Sequence, residues 1–179
     1  MDGPADHDLM ARAAKGDGRA FRTLAERHTG AALRLARRIL GNGAMAEDVV
    51  QDALLRVWIN APRWRPEAAF RTWLYRIVVN LCLNAKRRAA DLPVDAAEQV
   101  ADVGPAPDEQ LQLDERDRHL AAAIGALPER QRAAVVLTYQ EGLSNAEVAA
   151  VLDTSVSSVE TLLVRARRTL RTAFESDQE

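Results

Sequence analysis

Aromatic residues are scarce in this chain: Phe, Trp and Tyr make up 4% of its 179 residues, eight rings in all. Cysteine is scarcer still. Cys82 stands alone, so no internal disulfide can form, and a reducing cytoplasm is the compartment that fits. Its apolar helical surroundings point to a buried, inert thiol rather than a redox switch. No apolar run approaches the roughly 20 residues that cross a bilayer, so no membrane insertion is expected. The opening "MDGPADHDL" is acidic and lacks the basic and apolar regions of a signal peptide. His7, His28 and His119 are scattered without metal-ligand spacing, and no glycine-rich phosphate loop is present. These absences argue against an enzyme acting on nucleic acid, and no catalytic residue, metal site or cofactor is expected.

What is present is a folded composition, 47% hydrophobic and 28% charged. The net charge of −2 hides an asymmetry: residues 91–117 hold nine acids against one base, Arg116, which leaves +6 on the remainder. Two basic regions flanking an acidic stretch suggest nucleic-acid contact at two places, although solvated helix faces account for part of the pattern. Outside the acidic stretch, apolar residues recur at three- and four-residue spacing and no strand-like alternation appears. A short helix containing Leu9, Met10 and Ala13 ends at "KGDG". Asp17 can cap the next, whose pattern runs on to "GNG". A helix from about Ala46 to Asn60 is expected to bury Val49, Val50, Ala53, Leu54, Val57 and Trp58, and another runs from about Phe70 to Arg88. With Pro93, Gly104, Pro105 and Pro107, residues 91–108 read as an acidic, flexible linker. The expected fold is all-α: two small helical domains, residues 1–90 and 109–179, joined by that linker.

Three stretches carry functional signals. Five of the eight rings fall between positions 58 and 75, interleaved with Arg63, Arg65, Arg71 and Arg76. Phe70, Trp73, Leu74, Ile77, Val78 and Leu81 form one helical stripe and read as core. Arg76, Asn80, Asn84 and Arg87 form a second, polar stripe at the same spacing. Trp64, between Arg63 and Arg65 in a proline-bounded loop, either stacks on bases while the guanidiniums hold phosphates or tucks over the core; the residues alone leave both open. In "AEDVVQDALLRVW", Asp48, Gln51, Asp52 and Leu55 lie opposite the buried stripe, as a partner-docking patch or as the outer face of a plain amphipathic helix. In "GLSNAEVAAVLDTSVSSVETLLVRARRTLR", Ser144 and Glu147 form a capping box, and "DTS" makes a tight turn into a second helix. The pattern is that of a helix-turn-helix whose second helix enters the major groove, or of a helical hairpin with a basic face.

Taken together and in this order, "KGDGRAFRTLAERH", "AEDVVQDALLRVW", "FRTWLYRIVVN" and "LPERQRAAVVLTYQEGLSNAEVAAVL" resemble the extracytoplasmic-function (ECF) sigma factors of bacterial RNA polymerase. The resemblance runs from about Asp6 to Leu170. It implies a sigma2-like domain, the linker, and a sigma4-like domain with the helix-turn-helix. Asp48, Gln51, Asp52 and Leu55 would bind the beta-prime clamp helices of core RNA polymerase. Arg63, Trp64, Arg65, Arg76, Asn80 and Asn84 would bind the melted −10 element. Ser157, Ser158, Glu160, Thr161, Val164, Arg165 and Arg168 would read the −35 element. The implied partners are core polymerase (with the beta flap as a second contact), promoter DNA and an anti-sigma factor. One departure stands out. Relatives commonly carry a basic residue, a small hydroxyl and an arginine after the valine of the recognition helix, whereas Val159 here precedes Glu160, Thr161 and Leu162. The resemblance therefore carries no −35 sequence preference over to this chain. A second reading keeps the fold but makes the protein a sigma-like decoy that sequesters an anti-sigma factor without binding DNA. Glu160 and Leu162 favour it; the intact loop and the arginines of both domains oppose it.

Overall fold

The computed structural model describes residues 5–65, 69–90 and 115–176, and every regular element among them is helical. The expected linker, residues 91–108, lies outside the described residues. Helix α1 (Asp6–Ala13) is followed by a turn through Gly16, whose φ of 86° suits a residue without Cβ. The Asp17 carboxylate then starts α2 (Gly18–Leu40) by accepting from the backbone N–H groups of Arg19 and Ala20 at 3.0 and 3.1 Å. Its other oxygen accepts from Arg12 at 2.7 Å, and that guanidinium, followed by the Ala20 N–H, holds the carboxyl below its ordinary range. Gly41, in the left-handed region, closes α2, and the Asn42 side chain caps α3 (Gly43–Asn60) through the Met45 N–H at 2.9 Å. A single 3₁₀ turn, Ala61–Arg63, follows, and then α4 (Phe70–Ala90). Leu24, Leu35, Ile39, Val50, Val57, Leu74 and Val78 are buried where α2, α3 and α4 meet, with α1 laid across α2 through Leu9 and Met10. Cys82 is buried among them, and desolvation pushes its thiol up to about 12, so the nucleophilic thiolate is negligible at neutral pH.

The second unit contains α5 (Glu115–Gly125), α6 (Glu129–Val135) running into a π-helical turn (Val136–Gln140), α7 (Asn145–Leu152) and α8 (Val156–Ser176). Leu127, Val136, Leu137, Val148, Val151, Val159, Leu163 and Ala166 form its interior. Sequence periodicity places most buried positions correctly, and Trp58 is one ring that it misplaces. Trp58 is 36% exposed and Leu54 is half-buried, although Val49, Val50, Ala53 and Val57 are buried as expected. The reason is angular. Positions 54 and 58 turn away from the seam with α4 toward the start of α2, where Phe21 covers one side of the Trp58 indole at a centroid distance of 5.1 Å.

The two units are in contact: α4 packs against α7, and Arg132 of α6 reaches across to α2. Arg132 is 7% exposed. Its guanidinium donates to the Ile39 carbonyl in the last turn of α2 at 2.8 Å, to Leu127 at 3.0 Å and to the Gly125 carbonyl at the end of α5. A helix leaves its last four carbonyls without partners, and a cation suits that negative end of the dipole. Burial lowers the arginine's affinity for its proton without discharging it. Nearby, the half-buried carboxylate of Glu141 accepts from the Tyr75 hydroxyl of α4 at 2.7 Å and pairs with Arg38 of α2 at 3.4 Å. Burial, reinforced by that carboxylate, raises the Tyr75 phenol well above its ordinary value, so the hydroxyl stays protonated and donating.

Replacing Arg132 by Ala strands these carbonyls in a dry interface, and a loss of about 2–4 kcal/mol is expected. Arg132→Lys should recover only part of it, because one ammonium cannot reproduce the planar fork. Urea denaturation of both variants checks this; wild-type stability in Arg132→Ala contradicts the assignment.

Candidate nucleic-acid interface

The 3₁₀ turn after α3 and the outer face of α4 enclose a cleft of about 590 Å³, within the size range of ligand pockets. Its walls are Arg56 and Asn60 from the end of α3, Arg63, Trp64 and Arg65 from the turn, and Trp73, Arg76, Ile77 and Asn80 from α4. Helical spacing explains the α4 wall, since 73, 76, 77 and 80 recur at three and four residues on one side. Five of the six residues expected at a −10 site thus come together: Arg63, Trp64, Arg65, Arg76 and Asn80. Asn84 does not line the cleft. Its side-chain oxygen accepts instead from Arg87 at 3.0 Å. Trp64 packs partly on the core while also forming part of the cleft wall. Residues 66–68, which follow Arg65 in the proline-bounded loop, lie outside the described residues.

Sequence reasoning missed four contributors. Trp73 and Ile77 belong to the apolar stripe and were expected in the core, but both are only half-buried at its edge. Arg56 and Asn60 sit one helical turn apart at the end of α3, an i, i+4 spacing that would have placed them together had the chain reversal after Asn60 been foreseen. The Asn60 amide donates to the Arg56 carbonyl at 2.8 Å, tying down the helix end.

Asp48, Gln51 and Leu55 are exposed on the outer face of α3, and Asp52 is half-buried. Leu55, 56% exposed, borders a shallow apolar groove of about 270 Å³ with Gly18, Phe21, Leu54 and Trp58. Ile59, 63% exposed, extends the apolar surface by one turn. Asp52 binds Arg56 with both oxygens, at 3.0 and 3.1 Å, so the acidic face and the cleft share one ion pair.

In the second unit, the Ser144 hydroxyl and Glu147 form the full capping box at the start of α7. The helix ends on Asp153, in the left-handed conformation (φ 51°), and Ser155 caps α8 by accepting from the Ser158 N–H at 3.2 Å. Val159, Leu163 and Ala166 face inward, and Ser157, Ser158, Glu160, Thr161, Val164, Arg165 and Arg168 are all exposed. The arrangement is a helix-turn-helix with its second helix presenting a free polar face. Glu160 pairs with no cation among the described residues. One contact joins the two candidate surfaces: Arg76, in the cleft, binds Asp153, in the turn between α7 and α8, at 2.9 Å.

Comparison with known proteins decides the family. Residues 24–91 match the model of Sigma-70 region 2, and residues 117–170 match that of Sigma-70 region 4. The chain belongs to the ECF sigma factors. It is 38% identical to the ECF sigma factor SigM of Mycobacterium tuberculosis over 93% of this chain and 83% of that one. It is also 36% identical to CnrH of Cupriavidus metallidurans, over 98% and 97% of the two chains. Among solved structures, CnrH in complex with the cytosolic domain of CnrY superimposes with a TM-score of 0.71 at 33% identity, covering 97% of this chain and 99% of that one. As an ECF sigma factor, the protein directs core RNA polymerase to specific promoters and helps initiate transcription. Its two helical units are the region 2 and region 4 domains. No helix among the described residues is long and apolar enough to cross a membrane.

The capping box of this sigma factor gives its region 4 a defined acid response. The Ser144 N–H and hydroxyl hold the Glu147 carboxyl below its ordinary value of 4.5. A depressed folded value means that the cap's contribution is complete above 4.5 and lost as the pH falls through the folded value. The stability difference between wild type and Glu147→Gln should therefore be constant near neutrality and shrink at acid pH. Thermal unfolding of both proteins across that range checks the sign; a difference that grows on acidification refutes it.

Proposed function

We propose that this sigma factor captures the melted −10 strand in the cleft between the 3₁₀ turn and α4, docks on core polymerase through the outer face of α3, and reads the −35 element with the exposed face of α8. The observation that carries this reading is the cleft. Four arginines and two asparagines surround the edges of two tryptophans, and single-stranded nucleic acid needs that combination: flat apolar faces for its bases and cations for its phosphates. Unstacking a base costs a few kcal/mol, and stacking on a side chain returns about 1–3 kcal/mol per base. Arg63, Trp64, Arg65, Arg76 and Asn80 line the strand's path, with Asn84 further along α4.

On α3, Leu55 and the groove beside it take an apolar side chain of the beta-prime clamp helices, and Asp48, Gln51 and Asp52 ring that contact with acceptors. In the region 4 domain, Ser157, Ser158, Arg165 and Arg168 suit phosphates, whereas Glu160, Thr161 and Val164 are placed for base edges. The beta flap is the second polymerase contact, and the protein has no catalysis of its own. Its place of work is the cytoplasm, where the polymerase is. Residues 1–90 and 109–179 act as the two reading units, with 91–108 between them.

The −10 and −35 elements are separated, by their names, by about 25 base pairs, roughly 85 Å at 3.4 Å per pair. Two reading units in direct contact, with Arg76 tied to Asp153, do not reach both. The packed arrangement is thus a resting state that must open for promoter binding, and an anti-sigma factor that grips both units silences the protein. CnrH, which matches over nearly its whole length, was solved bound to a protein domain, CnrY. A decoy that only sequesters an anti-sigma factor would leave both the cleft and the arginine face of α8 without use.

Two experiments test this. Trp64→Ala or Asn80→Ala should reduce open-complex formation while core binding is kept; Leu55→Ala should weaken core binding while the affinity of the free protein for a −10 single strand is kept. Leu55 is the cleaner docking probe, because Asp52→Ala also releases Arg56 into the cleft. Variants that fail to separate the two activities refute the division of surfaces. For the −35 element, glutamate accepts from the N4 amino group of cytosine and cannot donate to guanine. Glu160→Lys should therefore change the preferred −35 sequence in a randomised-promoter selection, at about 1–3 kcal/mol of discrimination per base contact. An unchanged preference with a steeper salt dependence would place Glu160 at the backbone instead.

A further inference from the structure

Helix α1 lies outside the matched region 2 segment, which begins at residue 24, yet it touches the cleft. The His7 ring packs on the Trp64 indole with centroids 5.5 Å apart and planes tilted by 57°. Trp64 thus has His7 beside it while also forming part of the cleft wall. Helix α1 is itself firmly held. Leu9 and Met10 are fully buried, and Arg12 clamps Asp17 across the turn into α2. Asp6 binds Arg27 at 3.0 Å and His28 Nε2 at 2.7 Å. His28 in turn sets its ring edge on Phe70 at 4.9 Å, and Phe70 lies 6.2 Å from Trp73 on the opposite wall. One short helix is therefore tied to both tryptophans of the cleft, directly through His7 and indirectly through Asp6 and His28.

We infer that α1 is a positioning element for −10 strand capture, with His7 holding the Trp64 indole in the orientation that stacks on an unpaired base. The inference rests on the −10 reading given above. Trp64 follows a single 3₁₀ turn, belongs to no helix and packs only partly on the core, so the core alone covers just part of its indole. A loop tryptophan with several rotamers must be ordered by its ligand, and that ordering is subtracted from the binding energy. A ring carried beside it by the anchored helix α1, though His7 itself is exposed, reduces that loss beforehand.

The test is a double-mutant cycle on the full chain, using a fluorescent single strand that carries −10 non-template sequence for the free protein and 2-aminopurine in the same element for the holoenzyme. His7→Ala should weaken strand binding about three- to tenfold, the range of one aromatic contact, and slow open-complex formation, with core affinity unchanged. His7→Phe, which keeps a ring, should restore both. In the Trp64→Ala background, His7→Ala should add almost nothing, a coupling that general destabilisation does not produce. If Trp64→Ala weakens strand binding and His7→Ala does not, or if their losses simply add, the positioning role is wrong and the cleft reading stands. If Trp64→Ala itself has no effect, both fall.

Discussion

The contact on which the arrangement of this molecule depends is the Arg132 guanidinium, buried between the two domains. Its three acceptors are backbone carbonyls at or just past helix ends: the last turn of α2, the end of α5 and the turn before α6. The Ile39 and Gly125 carbonyls lie in the last turns of their helices, where no residue further along the helix bonds them, and Leu127 lies in the turn between α5 and α6. Removing the arginine would leave them unsatisfied, and separating the domains costs its bond to Ile39 unless water enters. Glu141 works beside it in the opposite sense, as one carboxylate holding a phenol from α4 and a guanidinium from α2. These directional bonds add to an apolar contact, since buried residues of both domains belong to one continuous hydrophobic cluster and α4 packs against α7.

The same economy governs the rings. With eight to distribute, the fold puts only Phe70 and Tyr75 wholly inside. The three tryptophans remain partly open, two of them in the cleft and one beside Leu55, each steadied by a neighbouring ring: Trp64 by His7, Trp73 by Phe70 and Trp58 by Phe21. A large flat side chain that is half-covered and laterally supported keeps an apolar face for a ligand at little entropic cost, and such residues dominate recognition surfaces for that reason.

Much of this was legible in the sequence because it is local. The caps at Asp17 and Ser144, the stop at Gly41 and the turn at Asp153 are set by residues within four positions of one another, and the exposed face of α8 follows from the burial of Val159, Leu163 and Ala166. What was not legible depends on distance. "LPER" reads as a helix break, and nothing in its neighbours says that Arg132 will meet Ile39, 93 positions away. Trp73 and Ile77 keep helical period with the core, yet they lie at the angular margin of the buried face, between buried Leu74 and Val78 and exposed Arg76 and Asn80. Period tells which residues share a face; it does not tell how wide a part of that face the neighbouring helices cover. The same limit hid Trp58, and nothing local reveals the contact of α1 with Trp64.

Burial then sorts the cations. The chain carries 24 of them, all but Lys15 and Lys86 arginine, and three of the described ones show the contrast. Arg132 is dry and bonded to carbonyls, so no phosphate can reach it. Arg56 and Arg76 are exposed and paired with the carboxylates Asp52 and Asp153. Exposed pairs of this sort contribute about 0–1 kcal/mol and are weakened by salt, so a phosphate displaces the carboxylate at small cost. Guanidinium is the cation suited to the exchange, because carboxylate and phosphate offer it the same two-pronged geometry. The exposed arginines therefore lose little by being paired at rest. Asp52 and Asp153 hold these two arginines in exposed, exchangeable pairs, whereas Arg132 is committed to backbone carbonyls.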